Sequence, residues 1–137
     1  MIRFVSITAF RTALEALLKI KRGVYAGVSA EICAAFKDVP IEQIRSNRDM
    51  ILMDDEHIII KLLMQDKKHR LSKKDGYRLI YIVYKKQEEV GLLDVYPKNG
   101  PMQQLDIDDE EVVRLVQQYL EEKKHGVLIS YQVESLI

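Results

Sequence analysis

The segment DGYRLIYIVYKKQEEVGLLDVYPK, residues 75–98, decides the fold class of this 137-residue chain. Its two apolar stretches, residues 77–85 and 90–96, are rich in β-branched and aromatic residues and flank the polar turn Gln87-Glu88-Glu89. Both stretches are apolar on both sides of the strand alternation, which is typical of strands in the centre of a sheet. The segment therefore predicts a hairpin at the centre of a sheet.

Upstream of this hairpin the pattern predicts strands and helices. Residues 50–53 and 57–64 read as two strands or one bent strand around a polar tip. Residues 2–7 read as a first strand, and Thr8 is the expected N-cap of the first of two N-terminal helices.

Downstream, the chain has a well-marked helix. Asp108 and Glu111 form a capping box that predicts a helix over 108–125, and residues 127–133 predict a last strand that extends the core. The whole chain, residues 1–137, is expected to be one α+β domain. We expect an antiparallel-type central sheet of about five strands, with two N-terminal helices and a C-terminal helix.

Composition places the chain among small globular proteins. Apolar residues make up 47% of the sequence, and no apolar run is long enough to cross a membrane. The N-terminus lacks the apolar core of a secretion signal, and the single cysteine, Cys33, cannot form an internal disulfide. These features predict a cytoplasmic protein with no membrane partner.

The net charge of zero hides a strong asymmetry along the chain. Residues 61–86 carry nine Lys/Arg and two Asp/Glu, a net charge of +7, whereas residues 87–137 carry four and eleven, a net charge of −7. Most charge runs are solvated faces. The basic loop, residues 66–76, lies between two predicted central strands, however, and is the main functional signal in the composition.

Known catalytic motifs are absent from the sequence. It has no nucleophile elbow, zinc-binding motif, Walker loop or dinucleotide fingerprint, and the acidic run 106–111 is better explained by helix capping than by calcium. Tyr77 and Tyr81 share a strand face and are expected to pack in the core, which places Arg78 on the opposite, open face. No metal or cofactor is expected.

Residues 75–98 resemble the RelE/ParE superfamily of bacterial toxin–antitoxin toxins, in particular its RelE-like branch. The resemblance is carried by Gly76-Tyr77-Arg78-Leu79-Ile80-Tyr81 and by Tyr96-Pro97-Lys98 at the end of the next strand. The β-α-α-β order upstream fits the same layout. The resemblance implies a metal-independent endoribonuclease that cleaves mRNA in the ribosome, where the 2′-hydroxyl attacks the adjacent phosphate and a 5′-hydroxyl leaves.

The resemblance also implies which residues act. Arg78 matches the strand arginine of the family, and Lys98 matches the basic residue that closes the following strand. Two alignments of the preceding strand remain open: one without a gap favours Lys68 and Arg70, and one with a gap favours Lys61. The expected catalytic residues are Arg78, Lys98, Lys61 and Arg70. The expected substrate-binding residues are Lys67, Lys68, Lys73, Lys74 and Tyr96. Residues 101–111 contain no match to the family's C-terminal tyrosine.

Partners follow from the same resemblance. A RelE-like toxin is held inactive by a cognate antitoxin protein, acts on the ribosome and mRNA, and contacts DNA only through the antitoxin. The alternative is a ParE-like inhibitor of DNA gyrase, or a binding module of the same fold that has lost catalysis. Convergence of the cations on one phosphate-sized site would favour the nuclease.

Overall fold

The structure is a computed structural model that describes residues 1–46 and 49–133. Six strands in this part of the chain form one sheet. They are β1 (Arg3–Ser6), β2 (Met50–Met53), β3 (His57–Met64), β4 (Tyr77–Tyr84), β5 (Glu89–Pro97) and β6 (Ile129–Ser130). Their order across the sheet is β2-β3-β4-β5-β1-β6, with β1 parallel to β5 and the other neighbours antiparallel.

The predicted α+β class is confirmed, but within the described residues the sheet has six strands rather than about five, and three α-helices rather than two precede β2. The sheet is mixed, because the chain leaves β1 through helices and returns at the opposite edge, in β2. This crossover lets β1 run parallel to β5, a pairing that a hairpin cannot make. The central hairpin β4–β5 and the β3 strand lie where the sequence predicts them.

Four α-helices cover the sheet in the described part of the chain. They are α1 (Thr8–Leu18), α2 (Val28–Phe36), α3 (Ile41–Ile44) and α4 (Asp109–Lys124). Short 3₁₀ turns occur at Lys21–Gly23, Lys67–His69 and Lys85–Gln87. In this part of the chain no helix combines the length and apolar character needed to span a membrane.

The predicted cap of α1 is wrong. Ile7 is the N-cap residue, and it makes no side-chain capping bond. The first N–H groups are instead bonded by side chains of α4: Thr8 N–H donates to Glu122 at 3.1 Å, and Ala9 N–H donates to Gln118 at 2.9 Å. A neighbouring helix therefore supplies the acceptors that an N-cap side chain would otherwise provide.

Only one of the two bonds of the predicted capping box forms at the N-terminus of α4. The Asp108 carboxylate accepts from Glu111 N–H at 2.8 Å. The Glu111 carboxylate pairs with Arg114. The last strand is shorter than the predicted 127–133, since β6 pairs only with Val5 and Ser6.

The two faces of the sheet have different covers. On one face Tyr81 packs on Phe36 with ring centroids 5.2 Å apart, and Tyr77 packs on Tyr25 at 6.2 Å. Both tyrosines are buried, so the core role predicted for them is confirmed. On the other face lies α4, whose buried Tyr119 ring packs directly on Gly91. A Cβ at Gly91 would lie 2.7 Å from that ring, so the glycine lets α4 approach the sheet.

Candidate functional site

Three of the predicted catalytic cations meet at one carboxylate on the α4 face. The Asp106 oxygens lie 3.3 Å from Lys98 Nζ, 3.7 Å from Lys61 Nζ and 3.8 Å from Arg78 Nε. Lys61, Arg78 and Lys98 are called the cation cluster below. Its members come from β3, from β4 and from the residue after β5. A single anion thus holds together three cations that are distant in sequence.

Strand register explains why the cluster forms. Lys61 is paired with Ile80, and Ile80 shares a face of β4 with Arg78 two residues earlier. The two cations are therefore diagonal neighbours on adjacent strands, within reach of long side chains. Lys98 comes next to them because its N–H donates to Gly76 O at 2.8 Å, at the start of β4.

Arg78 lies on the predicted face, but the expectation that it is open to solvent is wrong. Only 8% of its side chain is exposed. Its Nη1 donates to Lys73 O at 2.9 Å and its Nη2 donates to Lys74 O at 2.8 Å, so the basic loop wraps around the guanidinium. These bonds fix its position and leave the Nε side directed at Asp106.

Gly76 is a site residue that sequence reasoning named only as part of the motif. A Cβ at Gly76 would lie 2.1 Å from Met64 O, closer than any side chain can approach. The glycine lets the ends of β3 and β4 come together, and the next residue but one is Arg78. A glycine directly before a central strand is the signal that predicts such a close approach.

Residues 99–107, called the cover segment, follow Lys98 and bring Asp106 to the cation cluster. Its first part is tied to Tyr25, whose hydroxyl donates to Asn99 O and accepts from Met102 N–H, both at 2.9 Å. Its last residue, Ile107, donates its N–H to the Tyr96 hydroxyl at 3.1 Å. The cover segment is therefore anchored at both ends by buried tyrosines.

Tyr96 has a different environment from the one predicted for a substrate-binding residue. Its side chain is buried on the same sheet face as Arg78, its partner in the strand register. Burial raises the pKa of Tyr96, partly offset by the hydrogen bond from Ile107 N–H. In this arrangement Tyr96 supports the cover segment.

Asp94 and Asp106 have pKa values shifted in opposite directions. Burial raises the pKa of Asp94 to about 6, against the effect of the Val95 N–H bond, and the charge of Glu111 raises it further. For Asp106, desolvation would raise the pKa, but the Lys98 hydrogen bond and the charges of the whole cation cluster outweigh it. The pKa of Asp106 is therefore below its usual value, and the carboxylate is ionised at neutral pH.

In the described part of the chain, no lysine of the basic loop pairs with Asp106. Lys68 Nζ donates to Gly23 O, and Lys67 N–H donates to the buried Glu31 carboxylate at 2.7 Å. The Lys73 side chain lines a cavity of about 360 Å³ under α2 and α3, on the other face of the sheet. Lys73 and Lys74 contribute their carbonyls to the site, and these accept from Arg78.

Arg70 is also placed away from the cluster contacts. It follows the Lys67–His69 turn with a left-handed backbone, φ 55°, and its side chain is exposed. Within residues 1–46 and 49–133 it forms no ion pair. Of the two alignments that the sequence left open, the one that favours Lys61 gives a cation next to Arg78.

Asp106 is the residue that sequence reasoning missed. Its acidic surroundings suggested helix capping, and Asp108 does cap α4, but Asp106 lies two residues earlier and faces the cations. Within the described residues no three His, Cys, Asp or Glu side chains are arranged to hold a metal ion. The groups gathered here are suited to binding an anion.

Comparison with known proteins adds no assignment. The chain matches no family model and no curated protein sequence.

Proposed function

We propose that this chain is the toxin of a bacterial type II toxin–antitoxin system and acts as a metal-independent, ribosome-dependent mRNA endoribonuclease in the cytoplasm. The observation that carries the proposal is the cation cluster: three cations from three separate elements lie within 3.3–3.8 Å of one anionic group. The resemblance of residues 75–98 to RelE-like toxins supplies the reaction. A cognate antitoxin is the expected inhibitor, and DNA contact is expected only through that antitoxin.

The proposed reaction needs positive charge at one phosphate. The 2′-hydroxyl loses its proton and bonds to phosphorus, and the P–O5′ bond breaks as the 5′-oxygen takes up a proton. The products are a 2′,3′-cyclic phosphate and a 5′-hydroxyl. The phosphorane-like transition state gains negative charge, and cations fixed in advance lower the barrier without reorganising. The carbonyls of Lys73 and Lys74 hold Arg78 in this way.

One observation favours the alternative of a ParE-like gyrase inhibitor or a non-catalytic binding module. The Arg78 guanidinium is almost fully buried and uses both terminal nitrogens on loop carbonyls. A structural arginine would be held in the same way. Under this alternative the cation cluster stabilises the cover segment and has no substrate.

The test is a charge removal that leaves the loop bonds intact. Lys61→Met keeps most of the side-chain volume and removes a charge whose contact in the site is the Asp106 carboxylate. The matched control is Lys86→Met, which removes a charge paired with Glu56 at the far end of β4. With purified ribosomes and a defined mRNA, Lys61→Met should slow cleavage on the order of 10²-fold, the scale for one preorganised charge stabiliser. Lys86→Met should cleave like the wild type.

Two outcomes would contradict the nuclease. If the wild type does not cleave mRNA and inhibits supercoiling by gyrase, the chain is a gyrase inhibitor instead. Equal activity of Lys61→Met and the wild type would remove the cation cluster from the chemistry.

A further inference from the structure

We propose that Asp106 occupies a phosphate site built by the cation cluster, so that the chain is self-inhibited until an RNA phosphate displaces this carboxylate. The inference rests on the proposed function, since it describes how the same site is regulated. It makes Asp106 a competitor of substrate rather than a catalytic residue.

The exposures of the partners support a replaceable anion. The cations are the inner part, because their side chains are only 8% exposed for Arg78, 21% for Lys98 and 26% for Lys61. Asp106 is the outer part, with 53% of its side chain exposed. An anion on the solvent side of three less exposed cations can leave without unpacking the sheet.

The cover segment is attached so that Asp106 can move. Gln104 N–H donates to Pro97 O at 3.0 Å, and Ile107 N–H donates to Tyr96. Within the described residues, the two N–H groups between these anchors, those of Leu105 and Asp106, donate to no protein group. The Leu105 side chain is exposed to solvent. This short bridge is therefore attached by the carboxylate contacts and by the bond from Lys98 Nζ to Gln104 O at 3.1 Å.

Charge balance favours a doubly charged anion over the carboxylate. Asp106 supplies one negative charge against three positive charges, which leaves the cluster undercompensated. A phosphate group presents oxygens to arginine and lysine in the same way as a carboxylate. A phosphate dianion, or the doubly charged phosphorane-like transition state, matches three cations better. The site is thus expected to prefer a phosphate dianion or the transition state to a carboxylate, whereas an RNA phosphodiester, with one negative charge, competes with Asp106 on equal charge.

The experiment compares two identical substitutions near each other in the chain. Asp106→Asn removes the competitor, and Asp109→Asn, in the exposed first turn of α4, makes the same change of net charge. The probes are a fluorescent 2′-O-methyl oligonucleotide, which cannot be cleaved, and inorganic phosphate as its competitor. Because apparent affinity scales with the fraction of open sites, Asp106→Asn should bind both about tenfold more tightly or better. Asp109→Asn should change binding less than twofold.

A double variant tests whether the added affinity comes from the cation cluster. Lys61→Met combined with Asp106→Asn should lose most of the added affinity, because the phosphate would then meet only two cations. Equal binding by Asp106→Asn and Asp109→Asn would overturn the inference, whether or not the wild type cleaves mRNA. Tighter binding by Asp106→Asn without any ribosomal cleavage would keep the phosphate site and reject the nuclease.

Discussion

Two charge clusters lie at opposite ends of the same face of the β4–β5 hairpin, and they are built in opposite ways. At one end Glu89 is buried, and its Oε2 accepts from the Tyr119 hydroxyl and pairs with Lys123. Arg3 lies 3.6 Å from its other oxygen. At the other end Arg78 is buried and Lys61 and Lys98 are largely shielded, whereas the anion, Asp106, is half-exposed.

The difference separates a structural ion cluster from a binding site. Glu89 belongs to the sheet itself and is closed over by α4, so no ligand can replace it. Asp106 belongs to an irregular segment and can be replaced by another anion. A buried charge that keeps its partner contributes to specifying the fold. Largely shielded cations whose anion is more exposed can instead form a binding site.

The largest expected effect in this comparison is at Arg78. Arg78→Ala should slow mRNA cleavage by 10²–10³-fold, about 3–4 kcal/mol, because it removes a charge fixed next to the reacting phosphate. It should also lower the free energy of unfolding by about 1–3 kcal/mol, since the carbonyls of Lys73 and Lys74 lose their donors. Single-turnover cleavage and urea unfolding measure the two effects.

The matching variant separates charge from bonding. Arg78→Lys keeps the charge and loses the planar guanidinium, so it should recover part of the cleavage and little of the loop stability. A stability loss in Arg78→Ala with unchanged cleavage per folded molecule would make Arg78 a structural residue, like Glu89.

Substitution by alanine should affect stability differently at Glu89 and at Asp106. Glu89→Ala leaves the Tyr119 hydroxyl buried without its acceptor and Lys123 without its partner, and it should cost about 3 kcal/mol of unfolding free energy. Asp106→Ala should cost less than about 1 kcal/mol, because half-exposed ion pairs contribute little. Urea titrations at one pH measure both. Equal losses would contradict the distinction between the clusters.

A third carboxylate, that of Asp94, makes the free energy of unfolding depend on pH. Burial first, and then the Glu111 charge, hold the pKa of Asp94 at about 6 in the folded chain, against an ordinary value of 3.8. Between about pH 4 and pH 6 the folded chain retains a proton that the unfolded chain has lost, so this group destabilises the fold as the pH rises through that range. The effect is about 2 kcal/mol after allowance for its partial exposure.

Asp94→Asn isolates this contribution. The amide oxygen can still accept from Val95 N–H, and the ionisation is removed. The variant should be more stable than the wild type at pH 7, and the two should converge near pH 4 in urea unfolding. Asp106→Asn is the control with the opposite sign, since the cations lower the pKa of Asp106 and its small stabilisation is lost as the pH falls. A stability difference for Asp94→Asn that does not vary with pH would contradict the proposed ionisation.

The sequence predicts the secondary structure well. It does not predict the contacts between elements, or those of the irregular segments that fold back over the sheet. The strands β3, β4 and β5 follow from their β-branched and aromatic composition and from turn residues, and the diagonal placement of Lys61 and Arg78 follows once the register is known. The cap of α1 could not be predicted, because its acceptors come from α4, more than 100 residues away. The burial of Arg78 and the position of Asp106 depend on irregular segments that fold back over the sheet. No periodicity specifies such segments.

The smallest expected effect is at Lys98, which plays two opposing parts. Its Nζ contacts Asp106 and also donates to Gln104 O at 3.1 Å, so it belongs to the cation cluster and also helps to hold the cover segment closed. Lys98→Ala removes one attraction for phosphate but also loosens the competing carboxylate. We therefore expect cleavage to fall by less than about tenfold, well below the loss in Arg78→Ala.

In the Asp106→Asn background, where no carboxylate competes, Lys98→Ala should reduce cleavage by a larger factor. A single-turnover comparison of the two backgrounds measures this coupling. An identical loss in both would mean that Lys98 acts on phosphate alone and has no part in closing the site.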